Sequence, residues 1–301
     1  MDTNSTIFFL IITCFSFFCF IFNKFFLFYL KKKNISSVSS NFFFLCILDF
    51  INFIGSFYFI LLSVFIIRSF ICEPFQIPSE SMVPTLCNGD YILVKKYSYG
   101  IKNPINQKKW INISTPKRGD IVVFKFPRNK NIYFVKRIIG LPGDVIYYDN
   151  NRKKISIFNK KKNIINKIYI KNKNITNSKI QYFHKMMKND INDKKIKKNK
   201  ISIIEETIKN KKYNIILNNK YIDHKNLYFH QKNKKIGLWI VPKNNYFMLG
   251  DNRDNSFDSR YWGFVPNKYL IGKVFFIWMS IDKTENNFFK KIRFNRIKII
   301  Y

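Results

Sequence analysis

The chain contains little histidine and little acidic charge. Its 301 residues include 3 histidines and 18 aspartates and glutamates, against 53 lysines and arginines. His184, His224 and His230 all fall in one lysine- and asparagine-rich tract, with no HExxH motif and no carboxylate spacing suited to zinc. We interpret them as solvated loop residues, so a Ser-His-Asp triad, a metal site and a cofactor are not expected. A hydrolase with this sequence needs another general base, and a buried lysine can serve because burial disfavours its ammonium form.

Cysteine is also scarce, with 5 residues, no CxxC pair and no zinc-binding spacing. Cys14, Cys19 and Cys46 lie in apolar runs, where a thiol behaves as a small hydrophobe. Cys72 and Cys87 could pair in an oxidising compartment, but the interpretation as two unpaired apolar fillers is favoured.

The shortage of acidic residues leaves a formal charge of +35, which is typical of proteins that bind nucleic acid or an anionic surface. Most of the excess is lysine, and it accompanies asparagine, isoleucine, phenylalanine and tyrosine in every kind of segment. Such a bias indicates an AT-rich coding genome. Because the sequence has no arginine-rich stripe and no nucleic-acid-binding module, we predict no nucleic-acid partner.

Two long apolar runs occupy the N-terminal quarter, at residues 7–30 and 50–71. Each is long enough to cross a hydrocarbon core of about 30 Å as a helix. A cleavable signal peptide is disfavoured, because no basic residue precedes the first run and three lysines, residues 31–33, follow it. These lysines predict a cytoplasmic loop, an external N-terminus and an extracytoplasmic location for everything after about residue 72. The lysine-rich remainder is no obstacle, since long domains translocate largely regardless of charge.

Beyond residue 72 the sequence is typical of β-structure. Short β-branched and aromatic runs bounded by glycine, proline, asparagine or aspartate predict strands at residues 91–94, 120–126, 132–135, 237–241 and 271–279. The tract from about 150 to 235 has weaker patterning, and we interpret it as an insert with edge strands and long loops, part of it disordered.

Two strings contain candidate catalytic residues. In Glu73-Pro-Phe-Gln-Ile-Pro-Ser-Glu-Ser-Met-Val-Pro-Thr-Leu, the prolines disfavour a helix and predict an extended segment that carries Ser81. Lys136 follows a strand-like run and precedes a Pro-Gly turn, so its side chain can face a core. Taken alone, Ser81 is more simply interpreted as a loop serine, and Lys136 as a solvated lysine.

A third string covers residues 250–266 and is dense in aspartate and arginine. Its acidic spacing lacks the glycine and the terminal glutamate of an EF-hand calcium loop. We predict a hydrogen-bonded polar loop in which the aspartates pair with arginines of the same loop, the residues being Asp251, Asp254, Asp258, Arg253 and Arg260.

In their order along the chain, these strings resemble bacterial type I signal peptidases, the serine-lysine enzymes that remove signal peptides from exported proteins. The matching segments are residues 68–86, 117–127, 136–144 and 250–266. The resemblance covers most of the chain outside the cytoplasmic loop and the tract at 150–235. It implies a mainly β fold, in which two N-terminal transmembrane helices precede an antiparallel β-sheet catalytic domain with an inserted second β subdomain. The expected divisions are the tail and first helix at 1–30, the loop at 31–49, the second helix at 50–71, the catalytic domain at 72–149 and 236–301, and the insert at 150–235.

By motif position, the resemblance implies that Ser81 is the nucleophile and Lys136 the general base. The Ser79 hydroxyl and the Ser81 backbone N–H would form the oxyanion hole, and Ser256 would hydrogen-bond and orient the Lys136 amine.

Further residues are implied around this group. Asp258 and Arg260 would brace the site. Shallow pockets for small substrate residues would be lined by Phe75, Ile77, Met82, Leu86, Ile92, Val123, Phe134 and Val135.

The resemblance also implies partners and location. The partners would be precursor proteins that carry signal peptides, together with membrane lipids, and the protein would be a multi-pass protein of the bacterial inner membrane with its active site on the periplasmic face. Two alternatives stay open: a self-cleaving repressor-type protease, disfavoured by the two spans, and an inactive membrane scaffold, disfavoured by retention of the Ser-Lys pair.

One residue departs from the family pattern. Glu80 stands where many members have glycine, between the predicted oxyanion serine and the nucleophile. A positive φ at this position would strain a glutamate, and a nearby carboxylate would raise the lysine pKa. We expect its side chain to point into solvent.

Overall fold

The computed structural model describes residues 3–32, 42–159, 164–167, 169–171, 201–208, 211–218, 224–282, 285 and 291–300. His184 and the stretch at 172–200, part of the tract at 150–235 in which some disorder was predicted, lie outside these residues. The contacts divide the chain into two compact units, residues 1–73 with 100–112, and residues 74–99 with 113–301. The segment at 100–112 was predicted to belong to the catalytic domain, but its contacts place it with the helices.

The first unit is built from apolar helices. Helix α1 covers Thr3–Lys32, and the second run forms α2 (Phe42–Ser56), α3 (Tyr58–Ile66) and a π-helical turn at Ile67–Ile71. Among the described residues, Thr6–Tyr29 and Leu45–Ile71 are long and apolar enough to cross a membrane. The second segment begins before residue 50, the predicted start, because residues 42–48 are also apolar and continue the helix across Asp49.

Small and polar residues allow α1 and α2 to pack closely. A Cβ added to Gly55 would lie 3.0 Å from the Phe20 Cα, so only glycine permits this approach. The Ser16 hydroxyl donates to the Ile54 carbonyl at 2.8 Å, and the Asn23 side-chain amide donates to that of Asn52. Such bonds satisfy polar groups that would otherwise face hydrocarbon.

The strands of the described residues, in chain order, are β1 (Cys72–Gln76), β2 (Asp90–Lys95), β3 (Ile101–Lys102), β4 (Lys109–Ile111), β5 (Ile121–Phe126), β6 (Asn129–Gly140), β7 (Asp144–Asp149), β8 (Lys154–Asn159), β9 (Ile164–Lys167), β10 (Tyr169–Lys171), β11 (Ile201–Ile208), β12 (Lys211–Asn218), β13 (Leu238–Ile240), β14 (Asn245–Leu249), β15 (Val265–Pro266), β16 (Leu270–Ser280) and β17 (Lys298–Ile299). A short helix, α4, covers Ser259–Trp262.

The main sheet has the order β1-β2-β16-β5-β6-β14-β15, and β17 pairs with β16. The pairs β5–β6, β6–β14, β16–β2 and β16–β5 are all antiparallel. The predicted strands at 91–94, 120–126, 132–135 and 271–279 are confirmed as β2, β5, β6 and β16. The predicted mainly β fold behind two N-terminal helices is therefore confirmed.

A second sheet crosses the predicted start of the insert. It has the order β13-β7-β8-β9, with β7 and β8 paired from Asp144–Asn159 to Asp149–Lys154. The predicted boundary at 149/150 falls in the turn of this hairpin. The hairpin packs into a core with the fully buried Trp239 of β13 and Phe247 of β14.

The third sheet comes from the weakly patterned tract. Its order is β10-β11-β12, and β11 and β12 form an eight-residue antiparallel hairpin from Ile201–Asn218 to Ile208–Lys211. Buried Ile208, Tyr213 and Ile215 join the same core as Trp239. This part of the tract is a packed element and not a loose edge.

The remaining predictions outside the site concern histidine and cysteine. His224 and His230 are exposed in irregular segments, as predicted. The cysteines of the described residues form no disulfide, so Cys72 and Cys87 are not paired with each other.

Candidate active site

Ser81 lies at the start of a series of turns. The segment after β1 is tied to β2 by hydrogen bonds from Ile77 N to the Asp90 carbonyl at 2.8 Å and from Gly89 N to the Ile77 carbonyl at 3.0 Å. Val83 N then bonds to the Glu80 carbonyl at 3.1 Å. The prediction that Ser81 lies on an extended stretch is wrong, because this bond bends the chain into a turn at the serine.

Lys136 is placed by strand β6. It pairs with Val122 of β5 in a sheet with hydrophobic cores on both faces. Its side chain is 4% exposed, and its Nζ lies 5.6 Å from the centre of the Phe134 ring and donates a hydrogen bond to the Ser81 hydroxyl. The structure therefore brings together the two predicted catalytic residues from segments 55 positions apart.

The environment of Lys136 lowers the pKa of its amine to about 8, chiefly because burial removes the water that would stabilise the ammonium form. Asp258 and Asp251 oppose this shift by attraction, and the Arg260 charge adds to it. A lysine in these surroundings can lose its proton at a pH where an exposed lysine remains charged.

Ser79 lies two residues before the nucleophile and is exposed. Its hydroxyl oxygen is 3.5 Å from that of Ser81. The predicted oxyanion donor is thus beside the predicted nucleophile, in a position that is open to a bound ligand.

Ser256 is buried, and its hydroxyl makes no hydrogen bond with any residue that the structure describes. The predicted bond to the Lys136 amine is therefore not formed, because the hydroxyl lies against the backbone of Gly250. A buried hydroxyl without a partner is uncommon and leaves a donor available.

Gly250 is in close contact with both Ser81 and Ser256. A Cβ built on this glycine would lie 2.5 Å from the Ser81 carbonyl oxygen and 2.6 Å from the Ser256 Cβ. Any larger residue would therefore displace the backbone that carries the nucleophile.

Asn252 holds the same backbone from the side of the 250–256 loop. Its N–H donates to the Ser81 carbonyl at 3.1 Å, and its side-chain amide donates to the Glu80 carbonyl at 3.2 Å. The carbonyls before and after the Ser81 Cα are thus fixed by one residue.

Ion pairs fix the loop in turn, and two of the predicted pairings are wrong. Asp258 accepts from the Arg260 side chain at 2.9 Å and 3.0 Å, as predicted. Asp251 instead binds Arg137 of β6 in a bidentate pair at 2.8 Å and 2.6 Å, and Asp254 binds Lys153 at 2.9 Å.

An apolar cleft of about 440 Å³ opens over the dyad. Six of the eight predicted pocket residues line it: Phe75, Ile77, Met82, Val123, Phe134 and Val135. Leu86 and Ile92 do not line it, and both side chains are fully buried in the adjoining core. The lining also includes residues that were not predicted: Gln76, Pro78, Glu80, Ile132, Tyr133, Asn255 and Phe257.

Glu80 is half-buried in this lining, so the expectation of a solvent-directed side chain is wrong. The described non-glycine residues with positive φ are Gln107, Lys153, Asn233 and Asn244. Glu80 is not one of them, so its backbone is not strained by the departure from glycine.

Comparison with known proteins places this site in a family. A family model described as signal peptidase, peptidase S26, matches residues 50–279. Signal peptidase I of Buchnera aphidicola subsp. Baizongia pistaciae is 53% identical over 257 residues, which are 82% of this chain and 82% of that protein. Signal peptidase I of Pseudomonas fluorescens is 37% identical over 237 residues, 75% of this chain and 71% of that protein.

The chain belongs to the signal peptidase family, peptidase S26. It is a membrane-anchored peptidase, as the family and the two apolar spans indicate. A solved signal peptidase I from Enterococcus faecalis is matched at 22% identity over 54% of this chain and 98% of its own, with a TM-score of 0.26.

Sequence reasoning missed several residues that fix this signal peptidase site. Gly250, Asn252 and Arg137 all lie inside the quoted motifs, next to residues that were chosen for their chemistry. A glycine at the end of an apolar strand-like run is a signal of close backbone approach. The contacts of Asn252 and Arg137 depend on segments more than 100 positions away, and nothing local reveals them.

Proposed function

We propose that this chain is a serine endopeptidase that removes N-terminal signal peptides from exported precursors, cutting after small residues at Ala-x-Ala sites. The observation that carries the proposal is the hydrogen bond between the buried Lys136 amine and the Ser81 hydroxyl at the cleft. The names of the relatives, which are signal peptidases I, support the substrate class.

The first half of the reaction is acyl transfer to Ser81. The neutral Lys136 amine takes the Ser81 proton while Oγ attacks the scissile carbonyl carbon. The tetrahedral oxyanion is stabilised by the Ser81 N–H and the Ser79 hydroxyl, each donor contributing about 3 kcal/mol. As the C–N bond breaks, the Lys136 ammonium returns the proton to the leaving amine.

The second half releases the signal peptide. The neutral Lys136 amine removes a proton from water, which attacks the acyl-Ser81 carbonyl, and the serine oxygen leaves with that proton. Ser256 is placed in the loop beside Gly250, and its buried hydroxyl bonds to no described residue, the Lys136 amine included. Asp258 and Arg260 brace the loop that carries this serine.

The cleft favours small substrate side chains because its walls are aromatic and branched. Phe75, Tyr133 and Phe134 line the cleft together with Val123 and Val135. Such walls accept alanine one and three residues before the cut and exclude larger groups.

The charge pattern supports a site on the outer face of the bacterial inner membrane. Lysines 31–33 follow the first span, and the N-terminal tail has none before it. By the positive-inside rule, the loop between the spans is cytoplasmic and the catalytic unit is periplasmic. The precursor is itself held in the bilayer, and the shared tether raises its effective concentration.

The proposed specificity is tested with detergent-solubilised enzyme and two matched precursors. One carries Ala-x-Ala before the mature sequence, and the other has tryptophan in place of the second alanine. We expect one cut directly after the second alanine, located by N-terminal sequencing, and at least about 100-fold slower cutting of the tryptophan precursor. Equal rates for both precursors, or a cut at another place, would contradict the proposal.

The lowered pKa of Lys136 predicts a rising pH profile. Because only the neutral amine accepts the Ser81 proton, kcat/KM should rise about tenfold per pH unit and level off above the pKa of about 8. The measurement is cleavage of the Ala-x-Ala precursor from pH 6 to 10. A rate that is constant between pH 6 and 8 would show that Lys136 is not the titrating base.

A further inference from the structure

A buried ion pair joins the inserted hairpin to the loop of the active site. Glu206 of β11 and Arg253 of the 250–256 loop are both fully buried and form a bidentate pair, with Arg253 Nη1 2.7 Å from Oε1 and Nη2 bonded to Oε2. The Tyr213 hydroxyl of β12 donates to the same carboxylate at 2.7 Å. The mechanism described above uses none of these three side chains.

The contacts continue from Arg253 to the nucleophile. Arg253 Nε donates to the Gly250 carbonyl at 3.2 Å, and Gly250 lies against the Ser81 carbonyl. Two residues on, Asn252 donates to that carbonyl at 3.1 Å. A shift of Arg253 therefore moves the residues that hold Ser81.

The hairpin also contacts Asp251 and Arg137, the second of which is next to Lys136 in the chain. Ile216 N of β12 donates to the Asp251 carbonyl at 2.9 Å. The Tyr213 ring lies 3.9 Å from the guanidinium of Arg137, which neighbours Lys136 on β6 and binds the Asp251 carboxylate.

We propose that Glu206 is a positioning residue for the Ser81–Lys136 dyad, acting through Arg253 to hold the 250–256 loop in the arrangement that catalysis requires. The inference rests on the proposed function and extends the active site into the lysine-rich tract. It gives the β11–β12 hairpin a role in the reaction.

The energetics of the buried Glu206–Arg253 pair favour a role in positioning the loop over a role in stability alone. A buried ion pair contributes little net stability, because desolvation of two charges offsets their attraction. Loss of one partner leaves the other charged and without its counter-ion in an apolar core, which strongly destabilises that arrangement. When a neutral residue replaces Glu206, the Arg253 guanidinium gains solvation by moving toward water, and the loop moves with it.

The test replaces Glu206 with glutamine, which keeps the shape and removes the charge. We expect kcat for the Ala-x-Ala precursor to fall about 10- to 100-fold, as for a displacement of about 1 Å, with KM changed less than about threefold. The rising limb of the pH profile should move to higher pH, because water admitted around Lys136 restores its ammonium form. The matched control is Glu205→Gln, which makes the same charge change at the preceding residue of β11. It should keep the wild-type kcat and pH profile.

All rates are divided by the folded fraction from thermal melting, so lost stability alone does not count as support. If Glu206→Gln fails to fold, Tyr213→Phe removes one bond to Glu206 while keeping the ring, and a smaller fall in kcat is expected. Unchanged kcat and pH profile in the folded variant would overturn the inference. Ser81→Ala in the same assay tells the two proposals apart, since activity there contradicts both, whereas activity in Glu206→Gln alone contradicts only this one.

Discussion

Ser81→Ala and Lys136→Met should each lower kcat/KM by about 10⁴-fold or more, and the double variant should be no slower than either single one. Without Ser81 no acyl-enzyme forms. Without the Lys136 amine the serine keeps its proton, because the dyad hydrogen bond is lost. Residues that act as one unit show this non-additive pattern, since removal of either disables both.

Lys136→Met should lose activity without losing stability. Lys136 is 4% exposed, and burial lowers the pKa of its amine to about 8. Below that pH the folded protein therefore holds a poorly solvated charge. Methionine fills similar space without a charge, so Lys136→Met should melt at an equal or higher temperature at pH 7. Loss of activity together with gained stability would separate a catalytic role from a structural one.

Lys130→Met is the control for this pair of variants. Lys130 lies on the same strand, β6, and is exposed, so its replacement removes one of the many lysines without touching the cleft. It should keep wild-type kcat/KM. Full activity in either Ser81→Ala or Lys136→Met would refute the dyad.

The parts of this site that could be predicted are those set by short segments. The strand-like run of β6 and the turn after it predict that the Lys136 side chain can face a core, and Lys136 is buried. The order of the motifs then identifies Ser81 among many serines. Family resemblance supplied the pairing of the two, which local patterns do not contain.

Long-range partners could not be predicted. Asp251 has Arg253 two positions away, yet it binds Arg137, because β14 and β6 are neighbours and the two side chains meet on one face. Arg253 instead binds Glu206, which lies in a tract whose composition is typical of a loop. The buried apolar residues that fold the β11–β12 hairpin, such as Ile208 and Ile215, lie in a tract rich in lysine and asparagine, and this composition obscures their pattern.

Gly250→Ala should lower kcat by about 100-fold, the largest loss expected outside the dyad. The added methyl would lie 2.5 Å from the Ser81 carbonyl oxygen and 2.6 Å from the Ser256 Cβ, and the first of these is backbone that cannot rotate away. Relief therefore requires the nucleophile segment and the 250–256 loop to separate. That movement breaks the bond from Asn252 to Ser81 and withdraws the Ser81 oxygen from the Lys136 amine.

Gly143→Ala separates this local effect from general loss of stability. Gly143 has a φ of +86°, and a Cβ there would meet nothing within 4 Å, so alanine strains the backbone by about 1 kcal/mol without a collision. It should lower the melting temperature and leave kcat of the folded enzyme unchanged. Gly250→Ala should lower both the melting temperature and kcat. Overpacking costs about 1–3 kcal/mol of stability, and the resulting strain lies on the residue that attacks the substrate. If both variants melt lower and both keep wild-type kcat, the contact between Gly250 and Ser81 does not set the geometry of the nucleophile.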